Sequence, residues 1–140
     1  MYYLDTSLLV AAIWEEEGST ARVQTWMREV DGPFAISDWS LSEFAAAISS
    51  KTRAGAMFVE QRDAAELWLQ NFTIRSAELL AVQRAAFRRA ASIAKSPGVK
   101  VRAGDALHLA IAERHGAVIC TLDKDQAAAG QAIAMGTLLV

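Results

Sequence analysis

Four carboxylates carry the chemical interest of this chain. Asp5 ends a short apolar run at the start, Asp123 ends another late in the chain, and Glu43 and Asp105 fall in expected helices between them. In an open α/β sheet, ligands bind outside the carboxyl ends of the strands. Acids that converge there repel one another unless they are protonated or share a cation. Such oxygen donors suit Mg²⁺ or Mn²⁺. An ion of that kind makes bound water more acidic and stabilises charge on a phosphoryl oxygen, so the pattern points to phosphodiester chemistry. Thr6, Ser7 and Thr121 add hydroxyls beside Asp5 and Asp123, able to orient a carboxylate or a water or simply to cap and pack.

Each acid also has a structural explanation. Asp5 precedes an expected helix, where a carboxylate accepts a backbone N–H of the first turn. Ser40 and Glu43 have capping-box spacing, as do Asp123 and Gln126. Asp105 falls in a first turn, where the helix dipole favours an anion. Capping, however, does not require four segments to begin at one edge of a sheet, and the strand–helix order places Asp5 and Asp123 at that edge.

The stretch from Leu79 to Gly104 contains Arg84, Arg88, Arg89, Lys95, Lys100 and Arg102 and no acid. It either holds a phosphate backbone near Asp105 or forms an ordinary solvated helix face. Cys120 sits within an apolar run and reads as core, so a Cys120–His108 nucleophile pair is disfavoured. His108 and His115 share a helix without a ligand pattern and read as structural. Trp14, Trp26, Trp39 and Trp68 read as core or partner surface.

The positioning elements follow from periodicity and turn chemistry. Met1 to Leu4 reads as a strand and Thr6 to Ile13 as a helix, followed by a solvated turn at Glu15-Glu16-Glu17-Gly18. Ser19 is placed to cap a helix reaching about Val30, with Val23, Trp26, Met27 and Val30 as its apolar stripe. After the turn at Asp31-Gly32-Pro33, Phe34 to Ile36 reads as a second strand. Trp39 to about Lys51 is expected to be helical through Leu41, Phe44, Ala45 and Ile48, and Met57 to Gln70 through Phe58, Ala64, Ala65 and Leu69. Asn71 to Ile74 is expected as a third strand, and Ser76 to about Lys95 as one alanine-rich helix, broken at Pro97-Gly98. Ala103 to His115 forms a further helix stopped by Gly116. Ala117 to Leu122 is a continuous apolar strand, Lys124 to about Met135 a last helix, and Thr137 to Val140 an edge strand. Strands alternating with helices imply a mostly parallel sheet covered on both faces.

The chain has 140 residues, 53% hydrophobic and 21% charged, enough for one domain spanning 1–140 with a single core. Its formal net charge of -2 offers no global basic excess toward nucleic acid. A single cysteine excludes an intramolecular disulfide framework, and no Cys/His spacing suggests zinc. Without a signal-peptide pattern or an apolar run long enough to span a bilayer, a soluble cytoplasmic protein is expected.

Taken together, Tyr3-Leu4-Asp5-Thr6-Ser7, Ser42-Glu43, Arg102-Ala103-Gly104-Asp105-Ala106-Leu107-His108-Leu109-Ala110 and Thr121-Leu122-Asp123 resemble the PIN domain, and within it the VapC-like toxins of toxin–antitoxin pairs. The likeness covers nearly the whole chain, through Ala134-Met135-Gly136 before the last strand. It implies a three-layer α/β/α fold with a mostly parallel sheet of four or five strands. It also implies a Mg²⁺- or Mn²⁺-dependent endoribonuclease with Asp5, Glu43, Asp105 and Asp123 as the acidic, metal-holding site. Asp125, just beyond Asp123, is placed to share or take over the fourth role. RNA as substrate, a cognate antitoxin covering the groove and a homodimer are implied as partners. The rivals are a DNA-directed nuclease or phosphatase, a phosphoacceptor signalling domain using Lys124, and a binding module with a dead site. Asp5 followed by Thr6-Ser7 disfavours a haloacid-type phosphatase, and the lack of an acidic neighbour to Asp5 disfavours the phosphoacceptor.

Overall fold

The structure, a computed structural model, describes residues 1–14 and 18–140; the acidic run Glu15-Glu16-Glu17, expected as a solvated turn, lies outside the described residues. Five strands form one sheet: β1 (Tyr2–Leu4), β2 (Phe34–Ser37), β3 (Ala77–Leu80), β4 (Val118–Thr121) and β5 (Thr137–Leu139). Their order is β3-β2-β1-β4-β5, and every pairing is parallel. The helices among the described residues are α1 (Thr6–Ile13), α2 (Ser19–Glu29), α3 (Asp38–Arg53), α4 (Val59–Arg75), α5 (Arg84–Ala94), α6 (Ala103–Arg114) and α7 (Lys124–Ala132).

The register explains the three layers. Tyr3 pairs with Ala35 on one side and Ile119 on the other. Successive strand residues face opposite ways, so this row points to one face of the sheet. There it packs with Ala90 and Ile93 of α5 and with Leu107, Leu109 and Ile111 of α6. Leu4, Ile36 and Cys120 point to the other face, among Leu8 and Leu9 of α1, Val23 of α2, Phe44 and Ile48 of α3, and Leu69 of α4. With helices on both faces, the inner strands β1, β2 and β4 are mostly apolar rather than alternating. Ile119 is fully buried in this arrangement. Ile119→Ala is expected to cost about 2–5 kcal/mol in urea unfolding; a loss of about 0.5 kcal/mol or less would contradict a tightly packed central strand.

Two expected elements are corrected. Asn71 to Ile74 is not a strand, because α4 runs through it to Arg75. Its β-branched composition is overridden by helical spacing: Phe72 stacks on Trp68 one turn back, 5.3 Å between ring centroids, and meets Phe34 of β2. Nor is Ser76 to Lys95 one helix. Ala77-Glu78-Leu79-Leu80 has helix-forming residues, yet it pairs with Phe34–Ser37 as the edge strand β3, and the helix begins only at Arg84. Tertiary pairing outweighs propensity here.

The remaining differences are smaller. The α2 N-cap is Gly18, at φ 75°, rather than Ser19. Phe58 is an exposed N-cap position rather than core, and Ala45 and Ala64 face outward. The last helix stops at Ala132. No helix among the described residues is long and apolar enough to cross a membrane.

Candidate active site

In this strand order the chain leaves β1 toward β2 on one side, while β4 occupies the other. That makes the gap between the carboxyl ends of β1 and β4 the topological switch point, where such sheets open a crevice. Asp5 follows β1 and Asp123 follows β4 by two residues. The backbone N–H of Asp5 donates to the Cys120 carbonyl at 3.1 Å, extending the β1–β4 pairing to the crevice floor.

Asp5 is 4% exposed. Its Oδ1 accepts from Ser7 Oγ at 2.6 Å and from the Leu8 N–H at 3.2 Å, which is the α1 N-cap bond expected from sequence. Its Oδ2 accepts from Thr121 Oγ1 at 2.7 Å. Burial raises its pKa above the ordinary carboxylate value, against the pull of His108 and of the Ser7, Thr121 and Leu8 donors. Thr121 Oγ1 also accepts from the Asp123 N–H at 2.9 Å, so one hydroxyl ties the two strand ends together. Ser7 Oγ adds a second tie by accepting from the Leu122 N–H at 3.0 Å.

Asp123 is exposed and caps α7, its Oδ1 accepting from the N–H groups of Asp125 and Gln126. The Gln126 side chain does not reach back to complete a capping box; its amide reaches toward the Asp105 carbonyl at 3.4 Å. Asp125 serves Asp123 through its backbone, and its carboxylate is exposed. Asp105 stands in the first turn of α6, where its Oδ2 accepts from the Arg102 N–H at 3.0 Å. Burial raises its pKa; the Arg102 N–H opposes this, while the nearby charges of Asp123 and Glu43 add to it.

Glu43 is the acid whose expected cap is absent. The α3 capping box is Ser37 with Ser40, three residues earlier than the Ser40–Glu43 pair, so Glu43 lies within the helix and owes nothing to its start. Its Oε2 instead accepts from Thr6 Oγ1 and His108 Nε2, each at 2.8 Å. Burial would raise Glu43, but the His108 hydrogen bond and charge and the Thr6 hydroxyl outweigh it, leaving its pKa below the usual value. The structure thus brings all four acids to the carboxyl edge of the sheet, Asp105 within electrostatic reach of both Asp123 and Glu43.

His108, expected from sequence as structural, lies among these acids. It is 2% exposed, with Nδ1 2.8 Å from the Tyr3 hydroxyl and Nε2 on Glu43. The available signal was a polar ring one turn beyond Asp105 on an otherwise apolar helix, since buried polar groups need partners. Cys120 is core as expected: it is fully buried, burial pushes its thiol up to about 12, and Sγ contacts the Val118 carbonyl. Of the basic stretch, Arg89 forms a two-pronged ion pair with Glu113 at 2.6 and 2.7 Å. Arg84, Arg88, Lys95, Lys100 and Arg102 are exposed, and Arg102 immediately precedes α6.

The donor set fits a hard divalent cation. All four acids offer carboxylate oxygen, and mutual charge repulsion contributes to raising Asp105, a strain that a cation would relieve. Among the described residues, no three acids close on one point as a finished chelate. Mg²⁺ is commonly bound through one or two carboxylates, with water and substrate phosphate completing its shell.

Comparison with known proteins agrees with this architecture. The family model described as PIN domain matches residues 2–131. No curated protein matches the sequence. Among solved structures, FitAcB from Neisseria gonorrhoeae is similar at a TM-score of 0.75 and 16% identity, covering 99% of this chain and 96% of that one. VapC20 of Mycobacterium tuberculosis, described as a sarcin-ricin loop cleaving toxin, is similar at 0.72 and 16%, covering 93% and 95%. A toxin–antitoxin complex from Klebsiella pneumoniae is similar at 0.68 and 16%, covering 99% and 96%.

Proposed function

This chain belongs to the PIN domain family, and from that premise we propose that it is a Mg²⁺- or Mn²⁺-dependent endoribonuclease, the toxin of a toxin–antitoxin pair. The observation that carries this reading is the gathering of Asp5, Glu43, Asp105 and Asp123 at the switch point between β1 and β4, with exposed Arg102 directly before α6. PIN domains are typically nucleases, and one structural neighbour is described as cleaving the sarcin-ricin loop.

In this reading Asp5, Glu43 and Asp105 hold the cation, directly or through water, and Asp123 completes the cluster. When bound, the cation would supply a more acidic water and offset charge on the phosphoryl oxygens. The protein's own contribution is placement. Thr121 and Ser7 fix Asp5 between two strand ends, and Thr6 and His108 fix Glu43. Arg84, Arg88 and Arg102, with their exposed guanidinium groups, steady the RNA backbone without reading its sequence. The antitoxin and a second copy of the chain are the proposed protein partners. Structural neighbours in toxin–antitoxin complexes support the first.

Glu43→Gln tests the reading directly. Gln keeps a carbonyl for the Thr6 and His108 donors and disturbs no cap. It is expected to lower Mg²⁺-dependent cleavage at least about 100-fold, roughly 2.7 kcal/mol, with little change in Tm. The assay should offer single-stranded RNA, structured RNA, flap DNA and a phosphate monoester. Unchanged RNA cleavage would remove Glu43 from the site, and preference for flap DNA or the monoester would replace the ribonuclease reading.

A further inference from the structure

We propose that His108 is a positioning residue, holding the Glu43 carboxylate toward the crevice while Tyr3 holds the ring from behind. The proposal rests on the reading of Glu43 as a cation-binding acid and goes beyond it, because the imidazole itself touches neither substrate nor ion.

The geometry leaves His108 little freedom. Its ring is buried under the crevice, and both nitrogens are engaged at 2.8 Å. Ionised Glu43 offers only lone pairs, so Nε2 must carry a proton and donate it to Oε2. Nδ1 shares a hydrogen bond of 2.8 Å with the Tyr3 hydroxyl, which shares another of 2.7 Å with Ser37 Oγ. Ser37 is itself locked in the α3 capping box, and Tyr3 is fully buried in β1. The orientation of Glu43 is thereby referred back, bond by bond, to the central strand of the sheet. Thr6 Oγ1, at the first position of α1, donates to the same oxygen and lies 3.3 Å from Nε2.

Gly104 supplies the space. A Cβ at that position would stand 2.5 Å from Glu43 Oε1, so any side chain there would push the carboxylate out of this position. The carboxylate thus has the Thr6 and His108 donors on Oε2, while Oε1 lies over Gly104 near the Trp39 indole. A buried histidine that served only the core would need a satisfied ring, but not one whose outward nitrogen meets a half-exposed acid that no cap requires. Partners of this kind orient the groups that bind metal, and their loss typically costs about 10–100-fold in metal affinity.

The test is calorimetric titration with Mn²⁺ alone on the full chain and on His108→Leu, Glu43→Gln and the double variant. His108→Leu is expected to weaken Mn²⁺ binding about tenfold or more, and to weaken it no further once Glu43 is already Gln, because the ring acts through that carboxylate. If the parent binds no Mn²⁺, or Glu43→Gln binds it as the parent does, the cation-site reading itself falls. If Glu43→Gln weakens binding while a folded His108→Leu does not, or the two losses add in the double variant, only the role of His108 is overturned. Should His108→Leu fail to fold, ring ¹⁵N spectra of the unsubstituted chain decide: a proton on Nε2 with the shift of a hydrogen-bonded donor supports the proposal, and an unprotonated Nε2 refutes it.

Discussion

Asp5→Asn is expected to lower metal-dependent RNA cleavage by at least about 100-fold, some 2.7 kcal/mol of transition-state stabilisation, while leaving the fold as stable as the parent or more so at neutral pH. Asn keeps one carbonyl oxygen for Ser7 Oγ and the Leu8 N–H, so the α1 cap survives. Its amide faces Thr121 Oγ1, whose hydroxyl has a second lone pair to accept with. The substitution therefore deletes a buried charge together with the acceptor of the Thr121 hydroxyl, and the removal of the charge is expected to outweigh that loss. Its pH dependence has a definite sign. Burial holds the Asp5 pKa in the folded chain above the ordinary value of 3.8. The unfolded chain accordingly loses that proton first as pH rises, and the folded state binds more protons through the window between the two values. Stability falls with pH across that window and stays lower above it. Asn has no proton to lose. The Tm of Asp5→Asn minus that of the parent should therefore grow from acidic to neutral pH when both are melted in chelator. Parent-like cleavage by the variant would take Asp5 out of the chemistry. A variant clearly less stable than the parent at neutral pH would mean that the buried carboxylate supports the fold rather than straining it.

Removing divalent metal is expected to abolish cleavage, and Mg²⁺ or Mn²⁺ to restore it, with a matching change in stability. The Asp105 carboxyl is held above its usual pKa first by burial, and the charges of Asp123 and Glu43 push in the same direction. A cation in that field reverses the repulsion and binds only the folded arrangement. At an ion concentration about 100 times Kd the gain is about 2.7 kcal/mol, which for a chain of this size raises Tm by roughly 5–10 °C. Asp105→Asn keeps an acceptor for the Arg102 N–H but removes one anionic ligand, so its Mn²⁺-induced shift should shrink to a small fraction of the parent's. Cleavage that persists in excess chelator, or an equal thermal shift in Asp105→Asn, would each contradict a cation held by this cluster.

Most of the architecture was legible from local pattern. The strand at Val118–Thr121, the α1 cap by Asp5 and the α7 cap by Asp123 all follow from interactions within a few residues. The errors concentrate where a distant partner decides. Asn71 to Ile74 looks like a strand until Phe72 is seen stacked on Trp68 and against Phe34. Ala77–Leu80 looks helical until the exposed edge of β2 claims it. The Ser40–Glu43 spacing suggested a cap, but the helix begins at Asp38 and Ser37 caps it, which releases Glu43 to meet Thr6 and His108.

Residue types and near-neighbour spacing were enough to pick out the four acids, the apolar strands and the helices between them, because capping, periodicity and turn chemistry act over one or two turns of chain. Which acids face one another was decided elsewhere. Asp5 meets Thr121 across 116 positions, and Glu43 meets His108 across 65. Contacts at such separations exist only once parallel pairing has set the strand order and the two helical layers have closed over it. The crevice, the aim of Glu43 and the placement of His108 are therefore properties of the packed sheet, since local segments share no hydrogen bond that could encode them.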